Sequence, residues 1–385
     1  MKKCHLVYLA CTATVVGTGL GAAPASAGHM THVVHAGQSI QKAVDAAEPG
    51  DTVLITRGTY RESVTVTTPG LTLRGLGRGV VIQPAAAKTT GKTATKTTDK
   101  STGRATDKST GRAATGKDAA KATDTCAAAG NGICVVGTKN RKLEDVTLAS
   151  LTVTGFTRSG VYAADTDRLT VRKVTAVKNG VWGIAQEASV RGVFRGNTAR
   201  DNGDAGLFLA NTITAEQGAT DTDGTRVEHN RLEGNRIGVT VRRLRNLTVA
   251  ENYVTGNCAG VFVVGDENKP RAGAVTVAAN RIVRNNKSCP KTARLDALQG
   301  SGIVMTGTEE TLVTRNVIRD NAGESPLSGG IVLFKSFVGT TSERNRISGN
   351  ELSGNLPADL VDQETAKANT FEANSCQVSR PAGLC

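Results

Sequence analysis

Aromatic residues are scarce in this sequence, which contains seven Phe, four Tyr and one Trp among 385 residues. A lectin with a Trp-rich surface, or an RNA-binding protein that stacks bases on rings, would contain more of them, and no nucleic-acid partner is expected. After residue 27 no apolar run reaches the roughly 18 residues that a membrane span requires, so no span is predicted. Valine, isoleucine and leucine are nevertheless too frequent for a disordered chain.

The formal charge of +13 is concentrated in two segments. Residues 1–27 contribute two lysines, and residues 85–125 contribute nine basic and four acidic side chains. When these segments are set aside, about +6 remains on the rest of the chain. This excess favours an acidic partner only slightly.

Residues 1–27 have the order of a secretory signal: two lysines, an apolar stretch and a small-x-small end at Ala25-Ser26-Ala27. The sequence thus predicts cleavage before Gly28 and a secreted, extracellular protein. Six cysteines remain after cleavage, and disulfides are the expected state outside the cell. Six cysteines allow fifteen connectivities. The simplest is sequential, which gives Cys126–Cys134, Cys258–Cys289 and Cys376–Cys385.

A repeat dominates the chain after residue 145. Pairs of asparagines five residues apart recur, each with apolar residues at fixed distances before and after it. The pairs are Asn197/Asn202, Asn230/Asn235, Asn252/Asn257, Asn280/Asn285, Asn316/Asn321, Asn345/Asn350 and Asn369/Asn374. A glycine and a short alternating strand follow most pairs, as in GVTV at 238–241. The shortest repeat has 22 or 23 residues, which is too short for a helical repeat.

Three short strands per repeat indicate a single-chain parallel β-helix, an all-β fold of roughly ten coils in which asparagine side chains stack from coil to coil. Ser39 is a plausible N-cap for a short helix beginning at Ile40, which would cover the first coil. The expected organisation is therefore a signal peptide at 1–27, a cap helix and first coils at 28–84, a flexible low-complexity insertion at 85–125, and β-helix repeats at 126–385. A monomer is expected.

The stretch from Gly37 to Gln83, together with the Asn/Gly repeats, resembles secreted right-handed parallel β-helix proteins of the pectate-lyase-like superfamily. The passages GNGICVVGT (130–138), NNKSCPK (285–291) and the final SRPAGLC are similar to an exported actinobacterial subgroup. The resemblance implies a right-handed helix with three sheets. It implies no particular activity.

Unusually long segments flank the glycine-led strands, whereas the five-residue step within each Asn pair never changes. This pattern predicts a trough whose floor is the glycine-led sheet and whose walls are 210–225, 265–273, 286–300 and 322–329. The floor residues expected to contact substrate are Phe208, Thr240, Phe262 and Phe334, with Asp266 beside them. An equally weighted interpretation is that the long loops cover these apolar side chains only for stability.

Polyuronate lyases of this superfamily use Arg or Lys to abstract a proton next to a carboxylate, so the resemblance makes Arg242 and Lys335 the catalytic candidates. Asp266 is the acidic side chain placed to join a calcium site, but the clustered carboxylates that calcium prefers are missing, and no cofactor is expected. Asp165/Asp167 and Asp221/Asp223 are interpreted as solvated turns. His29, His32 and His35 do not share a strand face, so no metal site is predicted.

Two hypotheses follow from these residues. The first is a secreted protein that binds an acidic polysaccharide in the trough, either with or without cleaving it by β-elimination. The second is a non-catalytic extracellular binding or surface-interaction protein.

Overall fold

A computed structural model describes residues 28–85, 126–293, 295–336, 338–365 and 368–385. The predicted signal peptide, and all but the first residue of the predicted insertion, lie outside the described residues. Within them, the strands form three long parallel sheets of 12, 10 and 11 strands and one two-stranded sheet. The predicted three-sheet parallel β-helix is confirmed.

Each coil contributes one strand to each long sheet in turn. The first sheet contains Thr31–Val34, Thr52–Ile55, Thr72–Gly75, Thr147–Ala149, Thr170–Arg172, Val193–Arg195, Thr220–Glu228, Leu244–Ala250, Gly273–Ala278, Leu312–Thr314, Arg346–Ser348 and Thr370–Glu372. The second contains Gly58–Arg61, Val80–Gln83, Thr152–Thr154, Thr175–Val177, Thr198–Arg200, Arg231–Glu233, Tyr253–Thr255, Arg281–Val283, Val317–Arg319 and Glu351–Ser353.

The third sheet, called here the glycine-led sheet, carries the strands with the repeated glycine. It contains Val64–Val66, Ile133–Val136, Ser159–Ala164, Trp182–Glu187, Ala205–Ala210, Ile237–Arg242, Ala259–Val264, Ser301–Thr306, Gly329–Leu333, Leu360–Asp362 and Ser379–Arg380. The two-stranded sheet pairs Leu143–Glu144 with Thr166–Asp167.

Alternation along each strand points apolar side chains into the coil, where they stack on those of the next coil. In the first sheet Val171 pairs with Phe194, and Phe194 pairs with Val227. All three are fully buried. Burying such side chains stabilises the fold by roughly 1.5–3 kcal/mol each, so the stacked interior is the main source of stability.

Asparagine ladders run along the turns, as the repeat predicts. Asn202 donates from its backbone N–H and its Nδ2 to Asn235 Oδ1, at 3.0 and 2.9 Å. Nδ2 of Asn235 donates in turn to Asn257 Oδ1 at 3.1 Å and to the Ala199 carbonyl at 3.0 Å. Each amide therefore satisfies buried backbone groups of its own coil and of its neighbour.

The Asn pairs predict that Asn345 stacks on Asn316 and Asn350 on Asn321. This alignment of the last coils is wrong by one five-residue step. Asn316 bonds Asn350 Oδ1 rather than Asn345, and Asn321 bonds Asn355 Oδ1. Asn345 instead belongs to a separate short column with Asn369. The error arises because Asn345, Asn350 and Asn355 are evenly spaced by five residues, so the spacing alone fits two alignments.

Close approach of the backbones explains the repeated glycines. A Cβ built on any of six of them would lie within 2.9 Å of the carbonyl oxygen of the next glycine in the column. They are Gly160, Gly183, Gly206, Gly238, Gly260 and Gly302. Real Cβ atoms do not approach so closely, so the coils stack here only without a side chain.

The amino-terminal helix spans Ile40–Asp45 and begins at the predicted N-cap. Ser39 Oγ accepts the backbone N–H of Lys42 at 3.3 Å, and Glu62 accepts the N–H groups of Ile40 and Gln41 at 2.8 and 3.1 Å. Ile40 and Val44 face inward and are buried against the first coils. The helix thus covers the open end of the solenoid.

All three predicted disulfides are present. Cα separations are 6.0 Å for Cys126–Cys134 and Cys258–Cys289, and 5.3 Å for Cys376–Cys385. Among the helices in the described part of the chain, none is long and apolar enough to cross a bilayer.

Candidate binding cleft on the glycine-led sheet

A cleft of about 1010 Å³ lies on the outward face of the glycine-led sheet. Its floor comes from four consecutive strands, Trp182–Glu187 to Ala259–Val264. One wall is the segment 213–216, which follows the strand Ala205–Ala210, and the other lies within 287–295, which precedes Ser301–Thr306. The cleft therefore lies in the sheet that the insertion pattern selects, but it occupies only part of that sheet's length.

Two of the four predicted walls, 265–273 and 322–329, do not line this cleft. Farther along the sheet, Leu298 and Leu327 belong to the same buried apolar cluster as Val304 and Val332 on the floor. These side chains are at most 1% exposed. In these later coils the loops cover the floor completely, as the stability interpretation expects.

Two stacked rings form one end of the floor. Trp182 and Phe208 have centroids 4.5 Å apart and an angle of 17° between their planes. The Trp182 Nε1 donates to Asp204 Oδ2 at 3.1 Å, and the Arg158 guanidinium lies 5.5 Å from the Trp182 ring. The ring pair is therefore held in place by polar groups at its edges.

Thr240 lies between two aromatic residues in the middle of the floor. Its strand neighbours in register are Phe208 on one coil and Phe262 on the next. Thr240 is 6% exposed, and its Oγ1 makes no hydrogen bond to any described residue. A buried hydroxyl without a partner costs roughly 1–3 kcal/mol, and the hydroxyl groups of Ser301 and Thr306 in a later strand of the same sheet are buried in the same way.

Arg236 connects the floor to the wall. It donates to the Pro290 carbonyl at 2.7 Å and to the Asp296 carbonyl at 3.1 Å. Burial lowers the pKa of the Arg236 guanidinium from its usual value. A cation with such limited access to water interacts strongly with any anion that enters the cleft.

Arg242, the predicted catalytic residue, lines the cleft beside the other wall. Its Nη1 lies 3.4 Å from the Thr212 carbonyl oxygen and 3.3 Å from that of Ile213. Ile213 is also held from the sheet, because its backbone N–H donates to Glu187 Oε1 at 2.7 Å. The 213–216 wall is thus anchored on two adjoining parts of the floor.

Glu187 links this wall to a further buried group. Its Oε2 accepts the Tyr162 hydroxyl at 2.7 Å, and burial together with the Glu187 charge raises the pKa of Tyr162. Tyr162 therefore stays protonated and keeps donating. The carboxylate acts here as a positioning group for the wall.

The second wall is anchored by a covalent bond and a cation. The Cys258–Cys289 disulfide joins the floor to the wall, and Lys287 Nζ donates to the Gly234 carbonyl. Both Lys287 and Cys289 line the cleft. The acidic residues Asp204 and Glu216 also line it, so basic and acidic groups are both available to a ligand.

Three predicted site residues lie outside the cleft. Phe334 is half-buried and Lys335 is exposed at the end of the strand Gly329–Leu333. Phe334 occupies the same strand position as Arg242, three coils farther along the sheet. The two positions are therefore about 14 Å apart at ~4.8 Å per strand. The structure therefore does not bring Arg242 and Lys335 together as one catalytic pair.

Asp266 is committed to an ion pair. Its Oδ2 lies 2.6 Å from Arg243 Nε, and these side chains are 16% and 5% exposed, respectively. Its Oδ1 accepts both the backbone N–H and Nδ2 of Asn268 at 3.1 Å. Asp266 therefore stabilises the 265–273 loop and does not line the cleft.

Metal-binding geometry is absent from the described ranges, which contain no group of three or more His, Cys, Asp or Glu side chains placed to hold an ion. His32 contacts Asp51 at 2.8 Å, and this hydrogen bond lowers the pKa of Asp51 to about 2. Asp167, interpreted from the sequence as solvated, is 7% exposed and pairs with Arg191.

Sequence reasoning missed Trp182, Asp204, Arg236 and Lys287. Three of these share a position that carried a usable signal, because they lie one or two residues before a strand glycine: Trp182 before Gly183, Asp204 before Gly206 and Arg236 before Gly238. The outward residues that follow the glycine give no indication of this turn. Trp182 is also the only tryptophan in the chain.

Two family models match the chain. Residues 123–282 match a model described as a right-handed β-helix region, and residues 210–380 match one described as a periplasmic copper-binding protein, NosD. No curated protein matches the sequence.

Solved structures share the fold at low identity. The A-module of the Azotobacter vinelandii mannuronan C-5 epimerase AlgE4 is 18% identical, with a TM-score of 0.52, covering 87% of this chain and 90% of that one. An alginate lyase from Paenibacillus sp. is 14% identical, with a TM-score of 0.40, covering 88% and 99%. The DFA-IIIase of Arthrobacter chlorophenolicus is 13% identical, with a TM-score of 0.48, covering 88% and 94%.

Proposed function

We propose that this right-handed parallel β-helix binds a segment of an acidic polysaccharide in the cleft on its glycine-led sheet. The observation that carries the proposal is the lining of the cleft, which combines the stacked rings of Trp182 and Phe208 with the guanidinium groups of Arg236 and Arg242. An acidic polysaccharide presents apolar sugar faces and carboxylates, which match rings and guanidinium groups respectively.

Ring stacking supports a sugar as the ligand. The apolar C–H face of a pyranose packs on aromatic rings, and the Trp182–Phe208 pair provides such a surface at one end of the cleft.

Charge supports an acidic sugar. Arg236, Arg242 and Lys287 line the cleft, against Asp204 and Glu216. Arginine binds carboxylates through two parallel hydrogen bonds. The similar structure with the highest TM-score quoted above is named as an enzyme of mannuronan, which agrees with this ligand class. The proposal for this chain nevertheless rests on the cleft residues.

The proposal is binding, without a catalytic step. Arg242 is placed to contact a carboxylate, but Lys335 lies three coils away and outside the cleft, so the two do not form a base and clamp for β-elimination. Copper appears in the description of one matching family model. The described residues do not fit a copper site, since they hold no cluster of metal ligands and their six cysteines form disulfides.

Export is part of the proposal. Three disulfides are typical of proteins that fold in an oxidising compartment. The signal-like order of residues 1–27 and the periplasmic description of one matching family model agree with this location.

The test compares Arg242→Gln with wild type by calorimetric titration of polymannuronate, polygalacturonate and a neutral glucan. Arg242→Gln removes a charge that lines the cleft, so binding of the acidic polymer should weaken about tenfold, or about 1.4 kcal/mol. The matched control is Arg226→Gln, at an exposed arginine on the first sheet, which should bind like wild type.

Equal affinity of Arg242→Gln and wild type would refute the cleft as the binding site. Tighter binding of the neutral glucan would refute the acidic ligand class. The same samples are read for absorbance of an unsaturated product, and a signal that Arg242→Gln abolishes would add β-elimination to binding.

A further inference from the structure

A second pocket, of about 410 Å³, lies at the corner between the first and second sheets, away from the glycine-led sheet. It is called here the corner pocket, and its polar side chains are those of Arg74, Arg78, Ser150, Thr152, Lys173 and Thr175. The turns of three successive coils meet there, so one ligand would contact all three.

The corner pocket carries uncompensated positive charge. Arg74, Arg78 and Lys173 line it, and no Asp or Glu does. None of the three makes an ion pair within the described ranges. By contrast, Arg195 forms an ion pair with Glu228 at 3.6 Å. Arg195 occupies the same strand position as Arg74, three coils farther along the sheet. Three neighbouring cations without a counter-charge favour the entry of an anion.

Neutral donors complete the lining. Ser150, Thr152 and Thr175 contribute hydroxyl groups. The turn 77–79 adds three successive backbone N–H groups, none of which donates to a residue that the structure describes. Gly77 and Gly79 have φ of 75° and 90°, a left-handed geometry that leaves this turn without side chains at both positions. Successive free N–H groups in such turns form concave anion sites.

We propose that the corner pocket binds a phosphate group. A phosphate ester carries about −1.5 to −2 charge at pH 7 and offers three acceptor oxygens, which matches three cations and several neutral donors better than one carboxylate does. Two arginines can each bind it through paired hydrogen bonds. The residues involved are separate from the cleft, so this proposal does not rest on the proposed function.

The experiment titrates the full-length protein with inorganic phosphate and with glycerol 3-phosphate. The variant Arg74→Gln/Arg78→Gln/Lys173→Asn removes the three charges. Asn is chosen at 173 because that residue has φ of 53°, which Asn tolerates. Kd for phosphate should rise at least tenfold. Binding of the polysaccharide in the cleft should be unchanged.

The matched control is Arg281→Gln/Arg284→Asn/Arg315→Asn, which also removes three surface cations, two of them at φ of 52° and 54°. Its Kd for phosphate should stay within twofold of wild type. If circular dichroism shows that the first triple variant is misfolded, Arg78→Glu, at an exposed turn residue, replaces it and should abolish binding.

Binding of glycerol 3-phosphate at least as tight as that of inorganic phosphate would indicate that the pocket accepts a phosphate ester, whereas preference for the inorganic ion would indicate the free anion. Both results support the corner pocket. Equal weakening in the control variant, or no binding by the wild-type protein at millimolar phosphate, would overturn the proposal.

Discussion

The glycine-led sheet and the second sheet are built from the same coils, yet their outward faces differ. On the glycine-led sheet Phe262, Val304 and Val332 point outward and are at most 1% exposed, because long loops lie over them. On the second sheet the outward Arg231 is exposed, since only short turns flank its strand, Arg231–Glu233. The loop lengths therefore decide which face of the solenoid is apolar and where a cleft can form.

The largest effect is expected at the turn that joins these two sheets. Asn235→Leu keeps the side-chain volume but leaves the Asn202 N–H and Nδ2 and the Ala199 carbonyl without their present partner. At about 1–3 kcal/mol for each buried group, the free energy of unfolding should fall by about 5 kcal/mol. Urea denaturation followed by circular dichroism measures it.

Asn268→Leu is the control for Asn235→Leu. Asn268 also donates through its backbone N–H and Nδ2, but to Asp266 in a partly exposed loop. The free energy of unfolding of Asn268→Leu should fall by less than about 1 kcal/mol. Similar losses in both variants would mean that the ladder is no more important than an ordinary loop contact.

The ladder is also where sequence reasoning succeeds and fails most clearly. The five-residue spacing from Asn197 to Asn202 predicts a turn and the starts of the two strands that follow, so the fold can be predicted from local spacing. The same spacing cannot distinguish Asn345 from Asn350 as the partner of Asn316, because both lie in five-residue steps. Only the stacking of inward side chains, Ile318 on Leu352, selects the true register.

The comparison of the two faces is tested directly by Phe262→Ala and Tyr253→Ala. Phe262 is enclosed beneath the loops of the glycine-led sheet, and its truncation should cost about 4 kcal/mol through lost burial and a cavity. Tyr253 lies on the second sheet with Arg231 4.9 Å from its ring, so its truncation should cost less than about 1 kcal/mol. Thermal and urea unfolding of both variants measure the difference.

A small loss for Phe262→Ala would show that the loops do not enclose the floor in solution. A loss for Tyr253→Ala as large as that for Phe262→Ala would show that the second sheet is also covered, and the contrast between the faces would disappear.

The site was less predictable than the fold, and the residues show why. Insertion lengths selected the sheet on which the cleft lies, and alternation placed Phe208, Thr240, Phe262 and Arg242 on its outward face. Whether a loop encloses a coil or leaves it open depends on contacts such as those of Arg236 with Pro290 and Asp296. These contacts join residues more than fifty positions apart, which no local pattern encodes.

The smallest change in the free energy of unfolding is expected on a solvent-exposed face of the solenoid, where side chains form charge pairs instead of apolar contacts. Asp145 accepts hydrogen bonds from Arg168 at 2.7 and 2.8 Å, and this guanidinium lowers the pKa of Asp145 from its usual value of 3.8. Because the folded-state pKa is lowered, the stabilisation is complete above pH 3.8 and is lost as the pH falls through the lowered value. Half-exposed pairs of this kind contribute less than about 1 kcal/mol.

Asp145→Asn preserves the residue's φ of 58°, which Asn tolerates, and removes only the charge. The variant should lose less than about 1 kcal/mol at pH 7. The difference from wild type should persist down to about pH 4 and shrink in more acidic solution, as measured by urea unfolding at a series of pH values. A difference as large as that of Phe262→Ala would show that charge pairs stabilise the exposed faces of the solenoid as strongly as burial stabilises the covered face. A difference that does not change with pH would show that the charge of Asp145 is not its cause.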